Sequence, residues 1–201
     1  MKKIKLIVPE SWNDITVKQY QKFMQILKVQ KDEHEKTMDI VSVFCNVDRK
    51  LLKKFKMKDL NKISNIITSM TKDNPSHIKM EKNIEFNNDK YGVIPNMSEM
   101  TTGEFVDLES YCEESTENLH KIMSVLYRPI VKRKGSRYQI EDYGATPIEE
   151  RAELFKEEMT VGDFNGASVF FYNFATELLK FSNRYLKTLK TKTEQLKKLA
   201  N

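Results

Sequence analysis

The chain has 201 residues, enough for one domain or two small ones with a real core. Hydrophobic residues make up 39% and charged residues 31%, the balance expected of a soluble, rather polar protein. Net charge is only +5, too mild to declare a nucleic-acid protein by itself, and two cysteines without a CxxC partner rule out a disulfide scaffold.

In chain order, residues 3 to 8 alternate enough to predict a short edge strand ending at Pro9. The opening residues hold no secretory apolar core and no membrane-length run, so a soluble protein is expected. Trp12 then precedes a helix of about residues 17 to 29, with Tyr20, Phe23, Met24 and Leu27 at helical spacing. A charged connection over 31 to 35 leads to a helix over about 36 to 45. Asp48 caps a short basic helix through Phe55, and Lys58 opens another with Leu60, Ile63, Ile66, Ile67 and Met70 as its buried stripe. Arg49, Lys50, Lys53, Lys54, Lys56, Lys58 and Lys62 make this pair strongly basic. No stacking aromatics or known binding fold accompany them, so sequence-specific nucleic-acid reading is not expected.

A hairpin is predicted around 77–95, with Asn87-Asn88-Asp89 as its turn. Three later segments predict helices, at about 102 to 111, 117 to 127 and 147 to 158. Pro129 is read as the stop of the second, with Arg128 complementing the helix dipole. Between them, Val131 to Arg137 reads as a basic, Gly-containing loop, and Tyr138 to Tyr143 as a third strand or β-like arm. From Asp163 a long helix is expected to run as far as Leu199.

Three helix starts are built alike: Ile15-Thr16-Val17-Lys18-Gln19-Tyr20, Met100-Thr101-Thr102-Gly103-Glu104-Phe105 and Met159-Thr160-Val161-Gly162-Asp163-Phe164. Each places Thr16, Thr101 or Thr160 at the N-cap, with a side chain three residues on that can return to the cap amide. Flanking apolar residues occupy the positions of a hydrophobic staple, Met100 and Phe105 among them. The reciprocal bond is less secure in the third copy, where Asp163 is shorter than Glu or Gln. Their unequal spacing excludes a solenoid.

Charge is unevenly distributed. Glu99, Glu104, Asp107, Glu109, Glu113, Glu114 and Glu117 fall between Tyr91 and His120 with no Lys or Arg among them. Residues 180–201 carry seven basic residues against Glu194 alone. The three histidines are isolated, no phosphate-binding glycine loop occurs, and Cys45 and Cys112 read as buried free thiols. No catalytic residues, cofactor or metal ligands are assigned.

The segments Gly92 to Leu108, reading GVIPNMSEMTTGEFVDL, and His120 to Ile130, reading HKIMSVLYRPI, resemble small virion-associated proteins of tailed phages that infect Bacteroidetes, crAss-like phages among them. The resemblance extends over most of the chain to about Leu179 and brings no catalytic motif. It implies a non-enzymatic neck or tail protein, made in the host cytoplasm and carried in the virion, with other phage structural proteins as partners. Read with the charge asymmetry, it leads to the expectation of a homo-oligomeric ring around the DNA channel. A tail-assembly chaperone absent from the virion and a non-specific DNA-associated protein are the alternatives.

The expected fold is mainly α with a small antiparallel β element, an α+β body over 1–179 and a basic helical extension over 180–201. Candidate interface residues are Tyr127, Arg128, Glu109 and Glu113, together with Phe181, Tyr185, Lys187 and Leu189 of the extension. Lys132, Arg133, Lys134 and Arg137 are candidate DNA-facing residues.

Overall fold

The computed structural model describes residues 6–72, 81–96 and 99–164. The predicted helix beyond Phe164 and its extension over 180–201, with Phe181, Tyr185, Lys187 and Leu189, lie outside the described residues. The order is α1 (Val17–Lys28), α2 (Glu33–Phe44), α3 (Arg49–Leu52), α4 (Met57–Lys72), β1 (Asn83–Phe86), β2 (Asp89–Val93), α5 (Thr102–Glu113), α6 (Ser115–Leu126), β3 (Tyr127–Lys134), β4 (Arg137–Ile140) and α7 (Ile148–Glu158). This is an α+β fold whose four strands run antiparallel in the order β1-β2-β3-β4.

All three predicted helix starts form reciprocal caps. Gln19 and Glu104 return to the amides of Thr16 and Thr101. The shorter Asp163 also reaches, accepting from the Thr160 amide at 3.0 Å and its hydroxyl at 2.7 Å. Two of these starts lie back to back. Thr16 and Thr160 form an antiparallel bridge, with the Val17 amide donating to Met159 O at 2.9 Å and the Val161 amide to Ile15 O at 2.8 Å.

That bridge sits on the seam between two apolar cores. Ile15 and Val161 join one core, built by Met38, Val41 and Phe44 of α2, Leu52 of α3 and Leu60, Ile63 and Ile67 of α4. Val17 and Met159 join the other, built by β1 to β3, α5, α6 and α7 around Phe155. Phe155 is fully buried, with the Tyr91 ring edge-on at 5.1 Å and Phe86 at 5.8 Å. Tyr20 packs against both cores.

The β1–β2 hairpin turns through Asn87 and Asn88 at φ 51° and 69°, the paired positive values a two-residue type I′ loop demands. Several sequence expectations need correction. Leu6 to Val8 joins no strand ladder. α2 starts at Glu33, inside the expected charged connection, because Asp32 accepts from the His34 and Glu35 amides. Ile66 is exposed. α6 stops at Leu126, and Pro129 lies within β3, opposite Tyr91. The Pro129 carbonyl accepts from the Glu141 amide at 2.8 Å, so the side on which proline lacks an N–H faces a residue just past the end of β4, and no bond to β2 is lost.

The expected basic loop over 131 to 137 is the β3–β4 hairpin, with Gly135 supplying φ 62° at its tip. A register shift between Ile130 and Lys132 marks a bulge that bends it. Tyr138 of β4 then lies flat against Gly92 of β2, and its hydroxyl donates to Val93 O at 2.8 Å. A Cβ on Gly92 would stand 2.4 Å from the Tyr138 ring, so only glycine admits this contact. Gly92→Ala is expected to cost about 1–3 kcal/mol in urea denaturation, as overpacking does. In a Tyr138→Ala background that cost should largely vanish, since the clash has gone.

Candidate interaction surfaces

The rotation of α5 decides which of its side chains reach solvent. Its pattern is weakly amphipathic, because Phe105 and Val106 stand outside the stripe of Leu108 and Tyr111. A buried ion pair sets the orientation. Glu104 is 2% exposed and Arg128 of β3 is 6% exposed, and the two are joined through Glu104 Oε1 and Arg128 Nη2. The other carboxylate oxygen, Oε2, accepts from the Thr101 amide. One side chain therefore caps the helix and fastens it to the sheet.

Around this pair the polar groups continue. The Arg128 guanidinium lies 5.7 Å from the centre of the Tyr143 ring, within cation–π reach. The Tyr143 hydroxyl donates to Asp107 on the next turn of α5, and burial followed by that carboxylate holds its pKa well above the usual tyrosine value. Gly103 makes room for the ring, since a Cβ there would sit 3.1 Å from it. Arg151 of α7 is buried nearby, donating through Nε to Ser124 O at 2.8 Å, with Glu141 at 3.5 Å from Nη1. Burial pushes the Arg151 pKa down, and Glu141 counteracts it.

With Glu104 turned inward, the next residue lies about 100° round the helix and faces out. Phe105 is 44% exposed and Val106 52% exposed. The staple expected to bury Phe105 is therefore overturned. One and two turns further on, Glu109 and Glu113 are exposed on the same face, as is Cys112, which was expected to be buried. Cys45 is buried as expected, and burial pushes its thiol up to about 11.

Tyr127 and Arg128, candidate interface anchors in the sequence, are both buried. The Tyr127 hydroxyl donates to Glu81 O, and Arg128 is spent on Glu104. By contrast Lys132, Arg133, Lys134 and Arg137 are all exposed on the β3–β4 hairpin, with Val131 at the bulge 64% exposed. In the basic α3–α4 region Arg49 pairs with Glu35 and Asp39, while Lys50, Lys53, Lys54, Lys56, Lys58 and Lys62 face solvent.

A groove beside α1 is lined by Thr16, Gln19, Ser42, Asn46 and Asp48. Several of its polar groups already serve the backbone, and Lys18 and Glu157, which also line it, pair with each other. Gln19 bonds Thr16 N and Val43 O, Ser42 bonds Val47 O, and Asp48 caps Lys50 N. Among the described residues no group of three His, Cys, Asp or Glu could hold a metal ion, and no helix is long and apolar enough to cross a membrane.

Sequence reasoning missed Arg151, the Asp107–Tyr143 contact and a polar tie between α1 and α6. There Gln21 Nε2 lies 3.0 Å from His120 Nδ1 and 2.8 Å from Glu117 O. His120 is buried, and burial, reinforced by Lys156, lowers its pKa to about 4.

Two measurements follow from these buried groups. Arg128→Met strands the Glu104 carboxylate and should cost about 3–5 kcal/mol, whereas Thr101→Ala, which removes one cap bond, should cost about 0.5–2 kcal/mol. Denaturation of the two variants compares them directly. For His120, the unfolded chain binds the proton from about pH 6.5 downward while the folded chain resists until about 4. Stability is therefore full above pH 6.5 and falls by up to about 3 kcal/mol as pH drops to 4. His120→Gln should flatten that part of the pH profile.

No family model, curated protein or solved structure matches the chain.

Proposed function

We propose that this chain is a non-enzymatic structural protein of a tailed-phage neck or tail, assembling head to tail into a ring around the DNA channel. The observation that carries the reading is the presence of two separate, opposite patches on one body. One is the outer face of α5, with Phe105 and Val106 beside Glu109 and Glu113. The other is the β3–β4 hairpin, with Val131 beside four cations. Unlike patches on one protomer suit a heterologous contact, which closes into a ring when the rotation per step allows. The resemblance of Gly92 to Leu108 and His120 to Ile130 to virion-associated phage proteins supplies the setting. The outward lysines of α3 and α4 suit weak, sequence-indifferent contact with DNA phosphates.

Sedimentation velocity of the full chain over a range of concentrations, together with mass spectrometry of purified particles, tests this. Concentration-dependent oligomers and a stoichiometric band in the particle are expected. A chain absent from particles that instead binds an extended tail protein would replace the ring with the chaperone reading.

A further inference from the structure

We propose that the β3–β4 hairpin of one copy docks on the outer face of α5 of a second copy. The contact belongs to the ring proposed above and specifies its two surfaces.

On the hairpin, Lys134 stands directly opposite Arg137 in the register, and Lys132 lies two residues back on the same side. Like charges opposed across strands repel. None of Lys132, Arg133, Lys134 and Arg137 forms an ion pair among the described residues. Arg133 Nε reaches only Gly135 O, at 3.3 Å. The α5 face has the mirror problem. Glu109 and Glu113 are four residues apart, a repulsive helical spacing, and neither has a cation partner among the described residues. Each patch also exposes apolar surface beside its charges, Val131 on one and Phe105 with Val106 on the other. Bringing the two together relieves both repulsions and covers both apolar groups.

Among the described residues no ion pair within one copy joins the hairpin cations Lys132, Arg133, Lys134 and Arg137 to Glu109 or Glu113, and both elements are held from the same point. Glu104 lies at the start of α5 and Arg128 at the start of β3, so their bond fixes the two surfaces relative to each other. A second copy is the occupant that presents both charge and apolar surface in matching form. A DNA backbone would use the cations and leave Val131 and the α5 face uncovered.

Charge reversal tests the contact. Sedimentation of the full chain at low and high salt is compared with Glu109→Lys/Glu113→Lys, with Lys132→Glu/Lys134→Glu, and with the four changes combined, folding being checked by circular dichroism. Each double reversal should weaken self-association at least about tenfold. An equimolar mixture of the two should recover assembly, because each then meets a complementary patch, and so should the combined variant. Unchanged assembly in both reversals overturns the contact while leaving the ring reading intact. Loss in both with no recovery on mixing also overturns it, and parallel loss of duplex-DNA binding by the hairpin variant would reassign that patch to nucleic acid. If deleting residues 187–201 abolishes assembly while the reversals do not, the basic C-terminal segment is the occupant instead. A wild-type chain that stays monomeric at every concentration removes both the contact and the ring.

Discussion

The buried pair between Glu104 and Arg128 is the interaction on which the arrangement of this molecule depends. Two charges nearly free of water carry a heavy desolvation cost, and a buried pair is weak evidence for added stability. What this pair supplies is orientation. The apolar pattern of α5 alone would leave its rotation loosely determined, since Phe105, Val106, Leu108 and Tyr111 spread round much of its circumference. The carboxylate resolves that choice by accepting from the Thr101 amide and the Arg128 guanidinium together. Both bonds can form only with residue 104 inward, and that condition sends Phe105 and Val106 outward.

A second constraint ties the chain's two cores together. Residues 15 to 17 and 159 to 161 are far apart in sequence, yet their two backbone bonds place Thr16 against Thr160. Ile15 and Val161 enter one core while Val17 and Met159 enter the other, all four almost fully buried. The seam therefore has apolar contact on both sides and no orphaned amide. Gly162 lets the segment approach, since a Cβ there would stand 1.7 Å from Asn13 Oδ1. The Gln21–His120 contact works nearby in the same sense, fastening α1 to α6 through polar groups that are satisfied only when the helices are packed.

Features encoded within a few residues were legible in the sequence. The three capping boxes, the Asp48 cap, the Asn87-Asn88 turn and the helical spacing of most elements are local chemistry, and each is formed. Features that depend on a partner far along the chain were not. Nothing near Arg128 in sequence announces that Glu104, 24 residues earlier, will take its charge and bury it. Phe105 occupied the right place for a staple, and only the inward pull on Glu104 turns it to solvent. The loop over 131 to 137 resembled a loop because it is basic and contains glycine, but β4 supplies the pairing that makes it a strand and hairpin. The acids between Tyr91 and His120 likewise form a single run in the sequence. Folding withdraws Glu104 into the interior and gives Asp107 to Tyr143, so the acid that faces outward on α5 is Glu109 and Glu113.

The same withdrawal gives the remaining charges their meaning. Had Glu104 and Arg128 both stayed outside, the acidic helix and the basic hairpin would each present a diffuse field, and neither would be held in a fixed direction. Their mutual capture costs the surface one charge of each sign and leaves the rest as two groups, acidic on α5 and basic on the hairpin, on elements that this pair joins. A rigid angle between two unlike patches is what a repeating heterologous contact requires, because any looseness in that angle accumulates with each added subunit. In the head-to-tail contact we propose, the interior pair and the exterior patches are parts of one device, with the cost of burying the charges offset by the definition it imposes on the surfaces outside.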